Sequence, residues 1–247
     1  MKRGFVKTEN YARFRAAVQA TERRGAAEAG MMLAHGQPGY GKSTIVYNWA
    51  IESGALFLRA NQGWTPNQFL RELAKSVRID PTGSAGRLFE RLLEHIVERQ
   101  TPIVIDEAEF ALAQSAAVLE KVRDLSDRAE VTVVLIGMET IQGRIARHKQ
   151  ISSRIAQVVE FLPATEADVL YACNQLCDYE ITAGMTQEIH RLSQGRMREV
   201  VNIIAEMERL AKTNGITGAL DVPHFAGVAL AHDWQSRTAK RVRKGAV

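Results

Sequence analysis

Gly36-Gln37-Pro38-Gly39-Tyr40-Gly41-Lys42-Ser43-Thr44 is the stretch on which the fold turns. Gly36, Gly41, Lys42 and Ser43 follow the spacing of a phosphate-binding loop in full. The loop stands between a short apolar run, Met31 to Ala34, and a helical pattern from about Thr44 to Glu52. Glycine here lets backbone N–H groups curl round phosphate oxygens with no Cβ in the way, and the helix N-terminus behind them adds a favourable dipole. Lys42 is placed to neutralise β- and γ-phosphates. Ser43 offers a hydroxyl to Mg²⁺, a cation that takes hard oxygen ligands and keeps several waters. All nine residues, Gly36 to Thr44, are nucleotide-binding candidates.

Four further runs read as strands: Ala55 to Arg59, Pro102 to Glu107, Val131 to Gly137 and Val158 to Leu162. Helical patterns lie between them, over Pro66 to Val77, Ala85 to Glu98 and about Ser115 to Arg128. Short runs, apolar on both faces and alternating with helices, imply a parallel sheet covered on two sides, a three-layer α/β domain with five parallel strands. From Thr165 the strand signal stops. Helices are expected over about Thr165 to Tyr179, Thr186 to Ser193, Met197 to Thr213 and Pro223 to Trp234, a small all-α domain. The expected division is a basic helical arm over 1–24, the α/β domain over 25–163, the helical lid over 164–234 and a basic tail over 235–247.

Length and composition agree with this division. The 247 residues, 46% hydrophobic and 24% charged, exclude wholesale disorder and a disulfide scaffold. The net charge of +4 is unevenly spread. Residues 1–24 carry seven bases against two acids, a net +5, and Arg237 to Lys244 carry five bases and no acid, a further +5; by difference the interior is −6. Such ends either meet a polyanion or serve solubility alone. Cys173 and Cys177 share a helical stripe with no metal-ligand cluster around them, which predicts buried free thiols and a reducing cytoplasm. No run approaches the ~18 apolar residues of a membrane helix, so no membrane partner is expected.

Asp106-Glu107 closes the third apolar run, where the carboxyl end of a parallel sheet meets the phosphate loop. Asp106 is the second Mg²⁺ candidate, and Glu107 the group that polarises an attacking water. A glutamate directly after the metal-binding aspartate favours hydrolysis over transfer to a small acceptor. Asp106-Glu107-Ala108-Glu109 has the look of a helicase box, but such helicases need two sheet domains and this chain has room for one.

On these motifs, with Gly137-Met138-Glu139-Thr140, Arg144, Arg147 and Ser152-Ser153-Arg154-Ile155, the chain resembles the AAA+ ATPases over about residues 5 to 215. The branch it is most similar to is that of DNA transposition: the phage Mu B-type target-selection ATPases with their Tn7 C-type and TniB relatives. The resemblance implies Mg²⁺-dependent ATP hydrolysis and a homo-oligomer with ATP at its subunit interfaces. It makes Arg154, just before the fifth strand, the finger that reaches a neighbouring subunit's ATP. It places a γ-phosphate arginine at the start of the lid's third helix, Arg198, with Arg196 as the alternative. The fourth strand should end near a water-positioning polar residue; here Met138 follows Gly137, and Glu139 or Thr140 stands in.

The resembling branch winds as a helical filament on duplex DNA and marks it for a transposase in a bacterial host's cytoplasm. Binding of that kind needs repeated Lys and Arg contacts to phosphates. The candidates are Arg144, Arg147 and Lys149 after the fourth strand, Trp64, Lys75 and Arg78 after the second, and Lys240, Arg241, Arg243 and Lys244 in the tail. The alternative function is a helicase-loader-like ATPase acting mainly through protein contacts, or a P-loop phosphotransferase.

Overall fold

In this computed structural model the described residues are 1–2 and 4–231. They fall into two units, one of Glu9–Leu162 and the other of Met1–Thr8 with the chain from Pro163 onward.

The larger unit is built on five strands, β1 (Met31–Gly36), β2 (Leu56–Arg59), β3 (Ile103–Asp106), β4 (Val133–Gly137) and β5 (Ile155–Phe161), in the order β2-β3-β4-β1-β5. Every neighbouring pair is parallel. β1, β3 and β4 are buried along their whole length, as their unbroken apolar runs require, whereas the edge strands β2 and β5 are partly exposed. Parallel strands send all their carboxyl ends to one rim, so the ends of β1 and β3 arrive there together.

Helices cover both faces. On one face α3 (Pro66–Ser76), α4 (Ala85–Arg99) and α5 (Ala113–Ala129) bring Phe69, Leu73, Leu92 and Val122 onto Leu33, Ile105 and Leu135. Thr65 and Gln68 close a reciprocal capping box on α3, and Ser84 caps α4. On the other face lie α1 (Glu9–Glu22) and α2 (Lys42–Ser53). Phe14 of α1 is fully buried, edge-on to Trp49 of α2 with ring centroids 5.8 Å apart. Asn10 exchanges two hydrogen bonds with Leu162, donating to its carbonyl at 2.8 Å and accepting from its N–H at 3.0 Å. The helix expected to be a separate basic arm is therefore part of the sheet unit, because Phe14, Ala17 and Val18 form a buried stripe between its arginines.

After β4 come two short helices, α6 (Ile141–Ile145) and α7 (Lys149–Ser152). The smaller unit packs α8 (Glu166–Leu176), α9 (Ala183–Ser193) and α10 (Met197–Thr213) around Val169, Ile189, Ile203 and Met207. Thr165 and Asp168 form the capping box that opens α8. Residues 1–8 join this unit through the Lys2 N–H, which donates to the Leu176 carbonyl at 2.8 Å. Where a helix was expected from Pro223 to Trp234 there is a single 3₁₀ turn, Val222–Phe225, ended before Gly227 at a φ of 79°. A left-handed glycine two residues past the turn stops a helix from propagating. Residues 226–231 of that expected span are not helical, and 232–234, like Arg237, Lys240, Arg241, Arg243 and Lys244 of the tail, lie outside the described residues.

Candidate nucleotide site

The site begins where β1 ends. Gly36, Gly39 and Gly41 have φ of 147°, 89° and 88°, values that side chains oppose, and they fold the loop back over the start of α2. Gly41 is the N-cap of α2, so the first-turn N–H groups, which have no partner inside a helix, border the loop. Lys42 crosses the loop from beneath, its Nζ donating to the carbonyls of Gly36 at 2.6 Å and Gln37 at 2.8 Å. The Tyr40 hydroxyl donates to Gln37 Oε1 at 3.3 Å, bracing the loop's crest, while Pro38 and Thr44 are exposed. The nine residues Gly36 to Thr44, with a lysine folded onto their carbonyls, offer backbone N–H groups as a cradle for oxyanions.

Asp106 reaches this cradle from the end of β3. Its carboxylate is almost fully buried, and Oδ1 accepts from the Ser43 hydroxyl at 3.1 Å and from the Glu107 N–H at 2.9 Å. A hydroxyl and a carboxylate converging beside the loop are the hard oxygen donors that Mg²⁺ takes, and the two residues fit that ion. Among the described residues there is no cluster of three or more His, Cys, Asp or Glu able to hold a metal by itself, so further ligands would come from nucleotide and water. Glu107 follows in a left-handed conformation, φ 54°, with its carboxylate half exposed at the rim. Its Oε1 lies 3.8 Å from Nε of Arg59, at the end of β2.

Two residues given no role by the motifs complete the rim. Arg59, the last residue of β2, is paired in register with Asp106, and its Nε and Nη2 donate to Oδ2 at 3.3 and 3.1 Å. The other is Glu109. Its carboxylate accepts from the Met138 N–H, and its own carbonyl accepts from Arg144 Nη2 at 3.2 Å. A polar group does stand at the end of β4, but it comes from the turn after β3. Glu139 and Thr140 are both exposed there.

Arg154 is at the other rim. Its carbonyl accepts from the N–H of Met31, the first residue of β1, at 3.0 Å, so the length of β1, about 17 Å at ~3.3 Å per residue, separates it from the loop. Its Nε is held by both carboxylate oxygens of Asp127, at 3.2 and 3.0 Å. Lys149 and Arg123 share a shallow cleft of about 460 Å³ with this pair. Arg144 therefore goes with the nucleotide rim and Lys149 with Arg154, while Arg147 is exposed between them. Lys75, in the last turn of α3, and Arg78, just beyond its end, are exposed. Trp64 must be withdrawn as a DNA contact: the ring is 2% exposed, packed on Phe69, and its indole N–H is used by Glu72 at 2.9 Å. Arg196 and Arg198 are exposed at the start of α10 in the smaller unit.

A parallel sheet in the order 2-3-4-1-5 with a phosphate loop after its first strand is the AAA+ P-loop ATPase fold. Residues 24–145 match the family model of the AAA domain. Among solved structures, the chain is similar to the Aeropyrum pernix ORC1 protein in complex with DNA, at 18% identity over 88% of this chain and 63% of that one, TM-score 0.62. It is also similar to the Aeropyrum pernix ORC2 protein in its ADPNP-ADP complexes, at 14% identity over 87% and 65%, TM-score 0.63. Domain III of the Thermotoga maritima replication initiation protein DnaA matches at 14% identity over 89% and 91%, TM-score 0.54. The chain thus spans under two thirds of the two ORC proteins, and at these identities the likeness is one of fold. No curated protein matches it by sequence. Among the described residues no helix is long and apolar enough to cross a membrane.

Proposed function

We propose that the chain is a Mg²⁺-dependent ATPase that assembles on duplex DNA without sequence preference, as a helical filament with ATP at its subunit interfaces, and delivers target DNA to a transposase. The observation that carries the reading is the placement of Arg154 at the rim opposite the phosphate loop. An arginine a full strand length away cannot serve its own subunit's nucleotide through the sheet, but a second copy docked rim to rim receives it.

In this reading Lys42 would turn from the loop carbonyls to the β- and γ-phosphates, and Ser43 and Asp106 would hold Mg²⁺, which would supply charge neutralisation there. Glu107 takes the proton of an attacking water, and Glu109 fixes the backbone at the end of β4. Arg154 adds positive charge where the leaving phosphate gathers negative charge. With ADP that anion is gone, so assembly follows the nucleotide state. Arg144, Arg147 and Lys149 are the duplex contacts, each weak alone and repeated along the assembly.

A second reading is supported by the likeness to ORC and DnaA proteins: an initiator- or loader-type ATPase that acts mainly through protein contacts. One experiment separates the two. Duplex DNA is titrated with ATP analogue, ADP or no nucleotide across a salt series and imaged by electron microscopy, with Lys42→Ala as control. Filaments formed with the analogue alone, weakening steeply with salt, support the target selector. Absence of DNA-dependent assembly at low salt overturns it.

A further inference from the structure

Arg59 is not needed to fill the core, since its side chain is 61% exposed, yet it ends on the least exposed carboxylate of the rim. Asp106 has a side-chain exposure of 3%, and a carboxylate so placed needs a positive partner. Its Oδ1 is satisfied by Ser43 and by the Glu107 N–H, and its Oδ2 is satisfied by two N–H groups of one guanidinium. The same Nε lies 3.8 Å from Glu107 Oε1. Arginine does not deprotonate, so this charge is permanent. The β2–β3 register, not a loop, delivers it beside Asp106.

We propose that Arg59 is the resident counter-cation of Asp106 and sets the divalent-cation affinity of the site by competing for Oδ2. The inference rests on the reading of Ser43 and Asp106 as Mg²⁺ ligands. When the site is loaded, Arg59 gives up Oδ2 and swings toward water, which its exposed stem allows at little expense. Its positive charge nearby still opposes a second cation. Both effects weaken cation binding, and both fade as salt screens the exposed guanidinium.

The test uses the full chain saturated with ADP and titrated with Mn²⁺, free Mn²⁺ being read by electron paramagnetic resonance at low and high salt. Arg59→Gln should bind Mn²⁺ about three- to tenfold more tightly than the unaltered chain at low salt, with the gap closing at high salt. Arg59→Lys, which keeps the charge but loses the fork on Oδ2, should lie between. Thermal unfolding supplies the second readout: without cation Arg59→Gln should melt lower, and Mn²⁺ with ADP should raise its melting temperature by more than it raises that of the unaltered chain. If the unaltered chain binds Mn²⁺ and neither variant binds it more tightly, the competition is overturned and the nucleotide site stands. If the unaltered chain with ADP takes up no Mn²⁺, the metal-site reading itself falls and this inference falls with it.

Discussion

Gly36 and Phe161 are paired in register at the carboxyl ends of β1 and β5, so closely that a Cβ on Gly36 would stand 2.5 Å from the Phe161 carbonyl oxygen. The glycine also holds a φ of 147°. Gly36→Ala must therefore push back the neighbouring backbone and strain its own, and β1 cannot shift without moving the loop. We expect a stability loss of about 2–4 kcal/mol in urea unfolding together with loss of nucleotide binding. A variant of native stability that binds nucleotide normally would show that the close approach is not maintained in solution.

Arg154 and Glu107 occupy opposite rims of one sheet. Arg154→Ala and Glu107→Gln should each abolish hydrolysis alone, since each homogeneous assembly lacks one half of every site. Mixed, they should recover part of the activity, because some interfaces then pair an intact Glu107 with an intact Arg154. The turnover is read across mixing ratios, and a flat line at zero would exclude action between subunits. Asp127→Ala releases the Arg154 Nε and should lower turnover without lowering nucleotide affinity.

The loop, the Asp106-Glu107 pair, the five strands and the longer helices through α10 were legible because their determinants are local: glycine spacing, apolar runs and capping residues a few positions apart. Arg59 was not, since its partner lies 47 residues away and only strand register brings the two together. Glu109 was read as part of a box after β3, but its carboxylate works on the backbone after β4, 29 residues on. Trp64 misled because Asn61, Gln62 and Thr65 around it spell an exposed turn, and the Glu72 acceptor that lets the indole be buried lies eight residues on, about two α3 turns beyond the Thr65 cap. In α1 the helical spacing of Phe14, Val18 and the alanines between arginines was legible, but the sheet on which that stripe packs was not.

Phe14 tests that last point directly. It is fully buried between Trp49 and Phe161, with ring centroids at 5.8 and 6.5 Å. Truncation of a buried phenylalanine removes about 3–5 kcal/mol, and Phe14→Ala should unfold the sheet unit at correspondingly lower urea. A basic arm independent of the sheet would leave that midpoint unchanged.

Cys173 and Cys177 carry the last prediction, and it concerns the smaller unit. Both thiols are free and buried against the α8–α10 core, and burial pushes the Cys173 thiol up to about 12 and the Cys177 thiol above its ordinary value as well. A thiol reacts as its thiolate, so neither should consume a disulfide reagent at pH 8 in the folded chain, and both should react once it is denatured. The sign of the linkage follows from the raised value. Below the unfolded thiol's pKa of about 8.5 both states are protonated and pH has no effect through this group. Between there and about 12 the unfolded chain loses the Cys173 proton while the folded chain keeps it, so the thiol's contribution to stability is progressively lost as pH rises. Cys173→Ala should therefore flatten the alkaline limb of the stability profile, measured by urea unfolding from pH 8 to 11, while an unchanged slope would mean that the thiol is reached by water in solution.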